Sequence, residues 1–168
     1  MNIVLTGFMG TGKTEIGRAL AGNLGWAYAD TDELIEKKAG LKIKLIFEKY
    51  GEEHFRRLEE ETVKNIGELN NHVISTGGGV VLRSVNMDNL EKNGFIVNLY
   101  ASPGIIFDRI KGSDDRPLLN KPYPQVEIAR LIRERERFYE RCDMRVNTDS
   151  SNVERFVEQI IEGFNRAL

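Results

Sequence analysis

The chain has little of several things that would otherwise assign it to a class. It carries a single cysteine, Cys142, in 168 residues, so no internal disulfide can form. No apolar stretch approaches the roughly 20 residues that a membrane span needs. Neither sign of charge dominates: 24 Lys and Arg against 26 Asp and Glu leave a formal net charge of −2, with no global attraction for nucleic acid or an anionic membrane. Internal repeats and low-complexity tracts are absent, and no charged and apolar leader precedes the first apolar run. These absences lead to the expectation of a cytoplasmic protein that binds neither nucleic acid nor membrane. The length suits one domain, 1–168, able to bury a core but too short to divide nucleotide and substrate between separate domains.

What is present begins at residue 7. Gly7-Phe8-Met9-Gly10-Thr11-Gly12-Lys13-Thr14 has the form GxxxxGKT and directly follows the apolar run Ile3-Val4-Leu5. Glycines at these positions let backbone N–H groups curl around phosphates, Lys13 can reach the β- and γ-oxygens, and the Thr14 hydroxyl can take one Mg²⁺ position. After the loop, Ile16, Ala19, Leu20 and Leu24 recur at helical spacing. The loop thus lies between a strand and a helix, as phosphate binding by a helix N-terminus requires, and a nucleoside triphosphate is the expected ligand.

Short apolar runs alternate with helical patterns along the rest of the chain. The expected strands are 2–6, 26–29, 73–76, 95–100 and 144–148; the expected helices start at 13 and span 31–38, 43–69, 84–92, a segment from Pro103, 125–142, and a segment from 152. Five strands separated by helices imply an α/β fold in three layers, a parallel sheet covered on both faces. Ser102-Pro103 has the form of an N-cap followed by proline at the first helical position. Between 113 and 124 the pattern fails, and Pro117, Pro122 and Pro124, three of the four prolines, fall there with Asp114, Asp115 and Arg116. That stretch is a candidate lid beside an ordinary surface loop as the alternative.

Several residues break the expected pattern. Ile128, Leu131, Ile132, Phe138, Tyr139 and Cys142 trace an apolar helical stripe, and Arg135 occupies the place in it where a leucine is expected. An unpaired buried cation costs several kcal/mol, so Arg135 must snorkel outward or meet an anion from another segment or a ligand. Asp30 and Asp32 follow the second strand at the carboxyl edge of the sheet, where open α/β folds place ligands; helix capping is the structural alternative for either. Ser75-Thr76-Gly77-Gly78-Gly79 ends the third strand with three glycines, which expose bare backbone to close approach. Arg56 has Glu59 and Glu60 in reach along its own helix.

Together the phosphate loop, Asp30-Thr31-Asp32, Phe55-Arg56-x-x-Glu59, Gly77-Gly78-Gly79 and Arg116-Pro117-Leu118-Leu119 resemble the shikimate kinases over nearly the whole chain. The loop is common to many NTPases, whereas the series that follows it is specific. The resemblance implies a nucleoside-monophosphate-kinase-like P-loop fold and transfer of the ATP γ-phosphoryl group to the 3-hydroxyl of shikimate, giving shikimate 3-phosphate and ADP in chorismate and aromatic amino acid biosynthesis. It implies that Asp32 orients the ring hydroxyls and serves as base, that Asp30 with Thr14 acts at Mg²⁺, and that Arg56 and Arg135 clamp the shikimate carboxylate beside Gly77, Gly78 and Gly79. Gly10, Thr11, Gly12, Lys13, Thr14 and Glu15 would cradle ATP, Arg109 would pack near adenine, and Lys13 and Arg116 would neutralise charge during transfer, Arg116 from a lid over 113–124. Residues 31–60 would form the shikimate-binding segment of a monomeric kinase. Arg137 stands where the family often has proline, and 149–152 lacks the basic or proline residues common near adenine.

Other readings keep parts of this pattern. A gluconate or nucleoside-monophosphate kinase would share the loop and lid, but a phosphate-bearing acceptor favours further arginines, while one carboxylate needs only a pair. A GTP-dependent switch would need NKxD and DxxG; Asn120-Lys121-Pro122-Tyr123 lacks the aspartate, and no suitable DxxG is present. A nucleotide-binding module without catalysis is disfavoured by the presence of Lys13, Thr14, Asp32 and Arg116.

Overall fold

A computed structural model describes residues 1–112 and 122–168. Strands β1 (Asn2–Thr6), β2 (Ala27–Asp30), β3 (His72–Ser75), β4 (Gly94–Tyr100) and β5 (Met144–Asn147) form one parallel sheet in the order β2-β3-β1-β4-β5. Among the described residues they are joined by α1 (Lys13–Leu24), α2 (Thr31–Ala39), α3 (Ile43–Gly67), α4 (Ser84–Glu91), α5 (Pro103–Ile110), α6 (Pro124–Tyr139) and α7 (Val153–Ala167). The three-layer α/β architecture expected from the alternation is the one observed. No helix of the described residues is long and apolar enough to cross a membrane.

The strand periodicity of two explains the layers. In β1, buried throughout, Ile3 and Leu5 pack with Ile16 and Leu20 of α1 and Phe156, Val157 and Ile160 of α7. Val4 between them points the other way, into a cluster with Val63 and Ile66 of α3, Met87 and Leu90 of α4, Ile106 and Ile110 of α5, and Ile128 and Tyr139 of α6. A smaller cluster of Ile35, Ile46 and Phe55 holds α2 against α3. The register aligns Leu5 with Ser75 and Asp30 with Ser75, so the segments leaving β1, β2 and β3 emerge together at one edge of the sheet.

Three details differ from expectation. The helix expected over 43–69 is bent at Gly51, whose φ of 79° and ψ of 171° interrupt the helical backbone, a conformation glycine adopts without steric cost. The helix expected over 125–142 ends at Tyr139: the Cys142 amide bonds to the Glu140 carbonyl, and Asp143 exchanges bonds with Ile96 to lead the chain into β5. Cys142 and Arg141 therefore lie beyond the helix, and Arg141 pairs with Asp88 and Glu91. Pro103 does open α5, but the Ser102 side chain makes no capping bond. Residues 113–121 of the expected lid, Arg116 included, lie outside the described residues.

Candidate active site

The phosphate loop turns sharply where β1 ends. Gly7 (φ 142°) passes so near β4 that a Cβ there would stand 2.2 Å from the Leu99 carbonyl oxygen, and Gly12 (φ 90°) brings the chain into α1 from the left-handed region. The Thr11 hydroxyl donates to the Phe8 carbonyl at 2.8 Å, while Lys13 Nζ donates to the carbonyls of Gly7 and Phe8 at 2.8 and 2.9 Å. The lysine is thereby arched back over the loop, and the positive end of the α1 dipole faces the same space. Met9, Gly10, Gly12, Lys13, Thr14 and Glu15 form one wall of a cavity of about 300 Å³; Asp30, Asp32 and residues Ser75 to Gly78 form the other.

On that second wall Asp30 caps α2, its Oδ1 accepting from the amides of Asp32 (2.9 Å) and Glu33 (3.4 Å), so the capping alternative is realised within the cavity. Asp32 differs. Among the described residues its buried Oδ1 has no hydrogen-bond partner, and burial, reinforced by the negative charges of Asp30 and Glu59 and opposed by Lys13, lifts its carboxyl from 3.8 to about 6. Gly77 is packed so closely that a Cβ there would lie 2.6 Å from this same oxygen, and the Gly77 amide donates to the Thr31 hydroxyl at 3.0 Å. The donors offered to a cation, a threonine hydroxyl and carboxylate oxygens, are hard. Among the described residues no group of three or more His, Cys, Asp or Glu side chains is arranged to hold a metal unaided. This set fits Mg²⁺, which binds through one or two protein oxygens and completes its shell with phosphates and water.

The glycine turn also meets the two arginines. A Cβ on Gly79 would stand 2.8 and 2.9 Å from Nη1 and Nη2 of Arg56. That guanidinium is already paired: Nη1 donates to both Glu59 oxygens (3.2 and 2.9 Å), and Nε and Nη2 donate to Glu52 Oε1 (3.3 and 3.2 Å). Glu59, 1 % exposed, also accepts from Asn86 at 3.3 Å. Glu60, the other expected neighbour, pairs with Arg83 instead. Arg135 is half-buried and, among the described residues, has no acidic partner; its guanidinium lies 5.7 Å from the centre of the Phe8 ring, inside the phosphate loop. One helical turn along, the Tyr139 hydroxyl donates to the Gly78 carbonyl at 2.7 Å. Tyr139 and Arg135 interact, yet burial still pushes the phenol up to about 12. Gly78 in turn approaches the backbone of Gly7 and Met9. Arg56, Arg135 and Asp32 thus surround one glycine turn next to the phosphate loop.

Arg109 lies on the far side of that loop. It donates to the carbonyls of Gly10 (3.2 Å), Thr148 and Ser150 (3.1 Å), fastening the segment after β5 to the loop. It lines a second cavity of about 280 Å³ with Thr11, Gly12, Glu15, Ser150 and Ser151, of which Gly12 and Glu15 also border the first. Two further neighbours border the site. Tyr139 belongs to the apolar stripe of α6, and its spacing of four from Arg135 puts both on one helix face. Tyr28 belongs to β2, and a spacing of two puts it on the Asp30 face of that strand.

A model of the family described as shikimate kinase matches residues 9–165. A shikimate kinase of Caldanaerobacter subterraneus subsp. tengcongensis is 47% identical over 97% of this chain and 95% of its own length. The structure of a shikimate kinase from Acinetobacter baumannii in complex with shikimate superposes with a TM-score of 0.93 at 32% identity, over 99% of this chain and 93% of that one. A shikimate kinase from Aquifex aeolicus superposes at 0.87 with 37% identity, over 100% of this chain and 99% of its own.

Proposed function

Because the chain belongs to the shikimate kinase family, we propose that it transfers the γ-phosphoryl group of ATP to the 3-hydroxyl of shikimate, releasing shikimate 3-phosphate and ADP. The observation that carries this reading is the grouping of Asp32, Arg56 and Arg135 about the glycine turn that adjoins the phosphate loop. Arg56 and Arg135 bind the acceptor's carboxylate, which supplies the anion that Arg135 lacks among the described residues. Glu59 and Glu52 hold the Arg56 fork in place before substrate arrives.

Asp32 orients the hydroxyl and takes its proton. A carboxyl lifted to about 6 is ionised at neutral pH and yet is a stronger base than an ordinary aspartate. The hydroxyl oxygen attacks the γ-phosphorus, the bond to the β–γ bridging oxygen breaks, and the electron pair leaves with ADP. Gly10, Thr11, Gly12 and Lys13 hold the phosphates, with Glu15 and Arg109 bordering the adenosine side. Thr14 and Asp30 are the residues that would hold Mg²⁺, Asp30 through water, and the ion would supply charge neutralisation at the phosphates. Arg116 is assigned the developing charge of the transferred group, a task in which positioning and electrostatics outweigh base strength. Use of ATP supports a cytoplasmic setting, and a single chain supplies every residue named, which supports a monomer.

A coupled assay of ADP release with ATP, Mg²⁺ and shikimate tests the substrate, with no acceptor, gluconate and nucleoside monophosphates as comparisons. Release that depends on shikimate alone is expected; equal release with any of the others refutes the assignment. Arg116→Ala is expected to reduce kcat about a thousandfold, in the range of arginines that stabilise phosphoryl transfer, while shikimate KM changes less than threefold.

A further inference from the structure

Tyr28 stands against the residues assigned to the metal without a part in the roles above. Its hydroxyl donates to Asp30 Oδ2 at 3.3 Å, beside Ser75 and Thr14. The opposite oxygen of Asp30 is held by the amides of Asp32 and Glu33, so both oxygens of this carboxylate are engaged. The ring itself is confined. Gly17 lets it lie flat on α1, where a Cβ would come within 2.8 Å of Cε2, and the Arg18 guanidinium, paired with Glu33 at 3.2 Å, covers it at 5.4 Å from the ring centre. Thr14, Asp30 and Ser75 line the phosphate cavity, whereas the phenol stands behind them.

We propose that the Tyr28 hydroxyl is a positioning residue for Mg²⁺, orienting the Asp30 carboxylate. Its bond to Oδ2, opposite the two amides that hold Oδ1, fixes the plane of that carboxylate at the cavity wall. Groups that orient metal ligands in this way govern metal affinity. Phenylalanine at 28 would keep the ring packing between Gly17 and Arg18 and remove only this link.

The inference rests on the assignment of Thr14 and Asp30 to the metal, and the experiment separates the two. ADP is bound to the enzyme in EDTA and, separately, Mg²⁺ is titrated into the enzyme–ADP complex, both by calorimetry, for wild type, Tyr28→Phe, Thr14→Ala and Asp30→Asn. Tyr28→Phe is expected to bind ADP in EDTA like wild type but to need about tenfold more Mg²⁺ for half-saturation. If Tyr28→Phe matches wild type while Thr14→Ala and Asp30→Asn are impaired, the positioning role is overturned and the metal assignment stands. If none of the three variants differs from wild type, the metal assignment falls and this role with it. Equal weakening of ADP binding with and without Mg²⁺ in Tyr28→Phe would reveal a packing effect and also overturn the proposal.

Discussion

Arg56 and Arg135 flank the same glycine turn from different helices in opposite electrostatic states. Arg56 is locked between Glu52 and the buried Glu59, whereas Arg135 rests on an aromatic ring and, among the described residues, has no acid beside it. The difference is one of assembly. Arg56 belongs to a finished ion pair whose acid would be stranded without it; Arg135 holds charge that no acid of the described residues completes. A clamp built in this way has one rigid jaw and one jaw whose desolvation is repaid on binding.

The sharpest way to break the contrast is Arg56→Ala. It leaves Glu59 buried with Asn86 as its remaining hydrogen-bond partner among the described residues and Arg83 nearby, so a loss of about 3 kcal/mol in urea unfolding is expected together with a shikimate KM raised about a hundredfold. Unchanged stability would show that the Glu59 pair is not structural. Arg135→Ala should raise the same KM about thirtyfold but move stability by less than about 1 kcal/mol, since a cation–π contact is lost while a half-buried charge with no acid beside it among the described residues is removed. Comparable destabilisation in both variants would erase the distinction drawn between the two arginines.

Asp32 extends the comparison to an acid whose buried Oδ1 has no hydrogen-bond partner among the described residues. Its carboxyl titrates near 6 in the folded protein and near 3.8 unfolded, so the native state holds the proton more tightly. Stability is therefore lost as pH rises from about 4 through about 6, and Asp32→Asn should be more stable than wild type by about 2 kcal/mol at pH 8, a gain that vanishes near pH 4. Wild-type kcat/KM should fall about tenfold per unit below pH 6, a limb that Asp32→Asn abolishes along with most turnover. An unshifted acid limb would remove Asp32 as the base. The smallest effect is expected from Tyr139→Phe, which frees the Gly78 carbonyl on the Arg135 side of the clamp: about 1 kcal/mol, or a roughly fivefold higher shikimate KM, with shikimate-independent ADP binding unchanged.

Much of this was legible in the amino-acid order, for reasons that differ by region. The run Ile3-Val4-Leu5, the glycines at 7, 10 and 12 and the apolar residues of α1 are local signals, and strand, loop and helix formed at the expected positions. Gly51 inside an otherwise helical pattern carried no sign that it would bend α3, because a lone glycine is tolerated in a straight helix. The end of α6 was misplaced because Cys142 continues the apolar spacing while the pull of Ile96 on Asp143 is invisible along the chain. Spacing alone does not single out Glu52 as a partner of Arg56 although it lies four residues away, since three acids compete for that cation and only the fold assigns Glu60 to Arg83.

The sequence by itself determined the succession of strands and helices, the phosphate loop between the first pair, and the family, because periodicity, glycine conformations and motif spacing are properties of neighbouring residues. Only the tertiary structure decided which charges are satisfied and which are not. Burial and pairing depend on groups brought from distant segments: Glu59 and Gly77 against Asp32, Phe8 beneath Arg135, and Gly78 at the hydroxyl of Tyr139.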